Sequence, residues 1–125
     1  MRYLPLLFCA GLLVLFGCVT DQGKAPNQFG AQYDLLQTSA LPALVDDSLA
    51  LRVGYGGCTR NHVFVLQYSI GIGSMATLWL FKETSDQSCD MYVEETRIFS
   101  LPNELRNRRT ILLIGPSDKR FTLHR

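Results

Sequence analysis

From Ser48 onward apolar side chains recur at every second position: Leu49, Leu51, Val53 and Tyr55 alternate with Ala50, Arg52 and Gly54. A period of two sends successive side chains to opposite faces of an extended strand, which commits one face to a core. The same texture returns along the chain. His62 to Ile72 is apolar on both parities, through Val63, Phe64, Val65, Leu66 and Ile70, and predicts a central strand covered on both faces. Met75 to Phe81, Met91 to Leu101 and Thr110 to Ile114 predict further strands, and Phe121 to Leu123 a short edge. Gly54, Gly56 and Gly57 predict a bulge or sharp turn, as do Gly71, Gly73 and Ser74. Lys82 to Asp90 is polar and turn-like, and Asn103 to Arg108 suits one helical turn. Some half-dozen strands without a long helical period predict an all-β domain, either a small antiparallel sandwich or a partly open barrel.

Residues 1–17 have a different design. Arg2 supplies a positive start, and an uncharged apolar run from Tyr3 to Phe16 follows. That run is short for a bilayer span, which needs about 20 apolar residues, but it suits the core of a signal peptide. It ends in Leu15-Phe16-Gly17-Cys18, which resembles the bacterial lipobox. The resemblance implies cleavage before Cys18, a diacylglycerol on its thiol and stable membrane attachment by several acyl chains. By resemblance to the enterobacterial sorting rule, in which Asp after the modified cysteine marks inner-membrane retention, Val19 implies an outer-membrane address facing the periplasm. Residues 18–43 carry scattered Gly23, Pro26, Gly30 and Pro42 and read as the lipidated cysteine and a tether, although Tyr33, Leu35 and Leu36 could pack as a short strand or turn. The β domain is expected over residues 44–125.

Removing Arg2 with the leader brings the 12 Lys and Arg of the chain to parity with its 11 Asp and Glu, so nothing argues for nucleic acid. With Cys9 in the leader and Cys18 lipidated, Cys58 and Cys89 remain. In an oxidising compartment two cysteines most simply pair. The alternative is a metal site using Cys58, His62 and Cys89, since thiolate and imidazole suit zinc or copper. A Cys58/His62 nucleophile and base is a third reading, with only Asn61 adjacent to orient the imidazole. Both alternatives require reduced sulfur. The plainer expectation for His62 is a buried imidazole satisfying a loop carbonyl.

The run Tyr55-Gly56-Gly57-Cys58, then His62, Phe64 and Leu66, with Asp86 and Cys89 downstream, resembles a group of small Gram-negative lipoproteins of unassigned function. The resemblance spans Leu49 to Leu101. This chain places three residues between Cys58 and His62 where that pattern has two, and two between Asp86 and Cys89 where it has one. The resemblance implies an envelope location and no activity.

Asp46-Asp47 and Asp86 with Asp90 lack the oxygen spacing of a calcium loop and suit turns. Glu94 and Glu95 are strand neighbours and face opposite ways, which excludes a simple paired-carboxylate role. Arg106, Arg108, Arg109, Lys119, Arg120 and Arg125 could meet anionic headgroups if clustered, or form a solvated rim. Trp79, Phe81, Tyr92 and Phe99 could line a cleft or fill the core. Gly71-Ile72-Gly73 lacks the following helix and Lys of a phosphate loop. The reading is therefore a membrane-anchored envelope lipoprotein with a structural or protein-binding role, an unidentified envelope protein as partner and no cofactor. The alternative is a periplasmic metal-binding domain using Cys58 and His62. No complete catalytic constellation is present, so an enzyme is the weaker expectation.

Overall fold

The computed structural model describes residues 27–71 and 75–125. The leader, Cys18 and residues up to 26 lie outside the described residues. Among the described residues the fold is all-β, two four-stranded sheets packed face to face with one 3-10 turn, Asn103–Leu105. One sheet is centred on β3 (Ser48–Gly57), which pairs with β6 (Met91–Ser100) on one side. On its other side β3 takes β1 (Asp34–Leu36) at one end and β2 (Ala43–Val45) at the other. The second sheet runs β4 (Phe64–Ile70), β5 (Ala76–Lys82), β7 (Thr110–Ile114), β8 (Arg120–His124), antiparallel except where β5 meets β7.

The alternation explains this layout. Leu49, Leu51, Val53 and Tyr55 of β3 face Ala76, Leu78 and Leu80 of β5 and Ile111 and Leu113 of β7 in one continuous core. Leu101 belongs to the same core, as does Leu105, the buried residue of the 3-10 turn.

Three expectations are corrected. First, β4 is an edge strand rather than a central one: it pairs only with β5, and from Gln67 to Ile70 it is exposed. The strands with a hydrogen-bonded neighbour on each side are β3 in one sheet and β5 and β7 in the other. Second, the glycines of β3 do not break it. The ladder to β6 continues through Gly57 opposite Met91. Third, the stretch expected as tether up to residue 43 is folded from Asn27 on. Tyr33 and Leu35 are core residues, and β1 pairs with β3 through Leu36 opposite Arg52. Burying those two side chains outweighs the loop-like composition around them.

Tyr33 also carries a pH dependence. Its hydroxyl donates to the Leu80 carbonyl at 2.7 Å inside the sandwich. Burial holds the phenol protonated well above its ordinary value of 10.0, partly offset by that backbone hydrogen bond. Since the folded state keeps the proton longer than the unfolded chain, stability is intact below about pH 10 and falls as pH rises beyond it. We expect Tyr33→Phe, compared by urea unfolding at neutral and alkaline pH, to flatten part of that fall while costing about 1 kcal/mol at neutral pH for the lost hydrogen bond.

Candidate functional site

The Gly-Gly-Cys corner takes in the last two residues of β3, Gly56 and Gly57, and Cys58 directly after it. Cys58 and Cys89 are bonded, their Cα atoms 4.9 Å apart. The bond sits just beyond the last rung of the β3–β6 ladder, Gly57 opposite Met91. Both sulfurs are thereby withdrawn from ligation and from nucleophilic chemistry. Among the described residues no three His, Cys, Asp or Glu side chains gather as a metal ion would require.

His62 is only 1% exposed and lies flat on Tyr55, ring centroids 4.3 Å apart. Its Nε2 is 3.4 Å from the Thr59 hydroxyl. Its Nδ1 meets no hydrogen-bond partner, so the expectation that the imidazole satisfies a loop carbonyl is not met. The ring is held instead by packing, and it explains Gly57. A Cβ on that residue would stand 2.8 Å from His62 Cε1 and 2.9 Å from Gln87 Oε1. Gln87 is fixed there because its Oε1 accepts from the Cys58 amide at 2.7 Å. We expect Gly57→Ala to destabilise the domain by about 1–3 kcal/mol through overpacking. Urea unfolding should show a smaller penalty in a His62→Ala background, a coupling that a double-mutant cycle reads directly.

Around this corner runs a polar network that the residue pattern alone does not disclose. Tyr55 donates its hydroxyl hydrogen to Glu95 Oε1 at 2.8 Å. Arg97 pairs with the same carboxylate, donates to the His62 carbonyl at 2.7 Å and lies over the Phe64 ring. These contacts tie β6 across the open side of the sandwich to the start of β4. Glu94, one residue away, faces the opposite side and pairs with Arg52, as strand alternation requires. Lys82, expected in a turn, is instead the last inward residue of β5 and 1% exposed. Its ammonium donates to the Gln32 carbonyl at 3.1 Å, stands 3.6 Å from Asp86 and lies over the Tyr55 ring. The parity Ala76, Leu78, Leu80, Lys82 carried that placement.

Above the network a cleft of about 470 Å³ opens on the outside of the β3 sheet, lined by Gln32, Asp34, Gly54, Gly56, Gln87 and Tyr92 among others. The Tyr92 side chain lies across Gly54, where a Cβ would collide with its hydroxyl. Burial, then the nearby Asp34 and Glu94 carboxylates, push the Tyr92 phenol upward. The charges that line the cleft are already matched: Asp34 holds Lys119 at 2.7 Å, and Asp86 holds Lys82. Such a surface offers hydrogen bonds and an aromatic face rather than a free acid, base or nucleophile.

The remaining candidates disperse. Asp46 sits in the β2–β3 turn at positive φ, and Asp47 pairs with Arg125. Asp86 accepts the Gln32 amide, a turn role rather than a calcium loop. Three of the basic residues are engaged separately: Arg106 donates to the Leu101 carbonyl, Lys119 goes to Asp34 and Arg125 to Asp47. The four aromatics divide as well. Phe99 packs against the core, Tyr92 lines the cleft, and Trp79 and Phe81 sit on the outward parity of β5. No family model, curated protein or solved structure matches the chain, so the reading of its function rests on this geometry and on the residues themselves.

Proposed function

We propose that this chain is a lipid-anchored protein of the bacterial envelope, attached through Cys18, whose β domain binds a protein partner without catalysing a reaction. The observation that carries the reading is the Cys58–Cys89 bond. It fits an oxidising compartment outside the cytoplasm, in agreement with the leader and lipobox. It also occupies the sulfurs that a metal centre or a cysteine nucleophile would need. The cleft supports the binding role. Its ionic groups are paired, while Tyr92 is 57% exposed beside the floor of Gly54 and Gly56. An exposed tyrosine over open backbone is a common anchor for a partner's chain.

The test has two readouts on the full chain expressed in a Gram-negative host. Palmitate should label the wild type and not Cys18→Ser; equal labelling of both overturns the anchor. A photo-crosslinking residue in place of Tyr92 should give one discrete protein adduct in living cells. Absence of a discrete adduct there overturns the protein-binding role.

A further inference from the structure

The outward face of the β4–β5–β7–β8 sheet is unlike the rest of the surface. Register and parity place Val65 beside Phe81, Gln67 beside Trp79, and Thr77 beside Leu112, with Ile114 next along β7. Val65, Trp79, Phe81, Leu112 and Ile114 are all partly exposed, and none of them belongs to the core between the sheets. There is no charged residue between His62 and Lys82, a run that supplies all of this face contributed by β4 and β5. The opposite face of the sandwich is marked by the Arg52–Glu94 pair and by the paired carboxylate of Asp34.

The geometry points to a lipid surface as the occupant: the outer face of this sheet is where the domain lies against the membrane that holds its anchor. The inference rests on the lipid-anchor reading. Three observations select a bilayer over other occupants. The chain enters the fold beside this face, because the Lys82 amide donates to the Phe29 carbonyl at 2.9 Å and the Ala31 amide to the Lys82 carbonyl at 3.0 Å. That places the incoming segment along the end of β5, next to Phe81. From Cys18 to Asn27 nine residues span at most about 30 Å fully extended, so the face that the chain joins cannot travel far from the lipid. Residues 19–26 contain Asp21, Gln22 and Lys24 and are too polar to cover the apolar surface themselves. The chemistry of the face also fits the headgroup layer. Trp is the residue most at home at the boundary of hydrocarbon and water. Arg120, exposed and opposite Ile114 in the β7–β8 ladder, stands on the same side to meet a lipid phosphate. The cleft at Gly54 and Tyr92 lies on the other sheet and faces away, open to a partner.

Trp79 is the single tryptophan of the chain, so its fluorescence reports this face alone. The mature acylated protein is reconstituted into vesicles of phosphatidylethanolamine and phosphatidylglycerol, with and without bromine on the lipid acyl chains. Expected is a blue-shifted Trp79 emission that loses most of its intensity to the brominated lipid, with the loss reduced in Phe81→Asp and in Arg120→Glu. Thermal unfolding of both variants in detergent checks that they remain folded. An emission unchanged by bromine and open to iodide overturns the inference while leaving the anchor intact. A blue shift without bromine quenching, accompanied by a concentration-dependent dimer in detergent, overturns it in favour of a second copy. Mass spectrometry of the N-terminal peptide without acyl groups overturns the anchor and the inference together.

Discussion

Replacing both Cys58 and Cys89 with Ala lowers the stability of the domain by about 3–4 kcal/mol, the entropy that a bond spanning 31 residues removes from the unfolded chain. The closed loop contains β4 and β5, strands of the second sheet, while its ends lie at β3 and beside β6 in the first. The bond therefore limits how far the β4–β5 hairpin can wander from the sheet it must pack against. A bond closing a shorter loop, across a single hairpin, would hold less. For a domain of this size a loss of that magnitude corresponds to roughly 15–25 °C in melting temperature. Each single Cys→Ala variant should lose as much, and wild type in strong reductant should unfold at the midpoint of the double variant. A chelator should leave the wild-type midpoint where it is. A chelator-sensitive midpoint, or a double variant as stable as wild type, would sink the view that this bond is a structural staple.

The strands were legible because alternation is a local signal. Six of them, β3 to β8, fall where the residues predict, to within a few positions, and Cys58 and Cys89 pair as the plainest reading of two remaining cysteines expects. What could not be read is which strands become neighbours. Val65 and Ile70 make β4 look covered on both faces, yet composition does not say that the strand lies outermost in its sheet. The glycines of β3 misled for a related reason. Gly54 is small because Tyr92, distant in sequence, lies across it, and Gly57 because the nearby His62 folds back over it beside Gln87, contacts that strand alternation does not signal. In the same way Gln32, Asp34 and Gln87 meet at the cleft only through β1 and the loop after β5. Lys82 is the instructive exception, since its parity on β5 pointed inward and its charge argued for solvent. Parity prevailed because the Gln32 carbonyl, Asp86 and the Tyr55 ring receive the ammonium inside.

The contrast between central and edge positions in the second sheet has a measurable consequence at one rung. Leu78 of β5 stands between Tyr68 of β4 and Leu113 of β7, and it is fully buried. Tyr68, its direct neighbour on β4, is 39% exposed. Truncating Leu78 to Ala removes apolar contacts on the core side and leaves a space that β3 and β7, each fixed by its own ladder, cannot close. The expected loss is about 2–5 kcal/mol, the range for Leu→Ala in a core that collapses only in part. Tyr68→Ala removes a larger side chain yet should cost no more than about 1 kcal/mol, the scale of a single cross-strand pair at an exposed position. Urea titration followed by Trp79 emission reads both variants, with an unchanged slope expected in each because the surface exposed on unfolding is nearly the same. If Tyr68→Ala proves as costly as Leu78→Ala, β4 is covered in the folded protein by something that packs on Tyr68 and Ile70, and the strand is not an edge in solution.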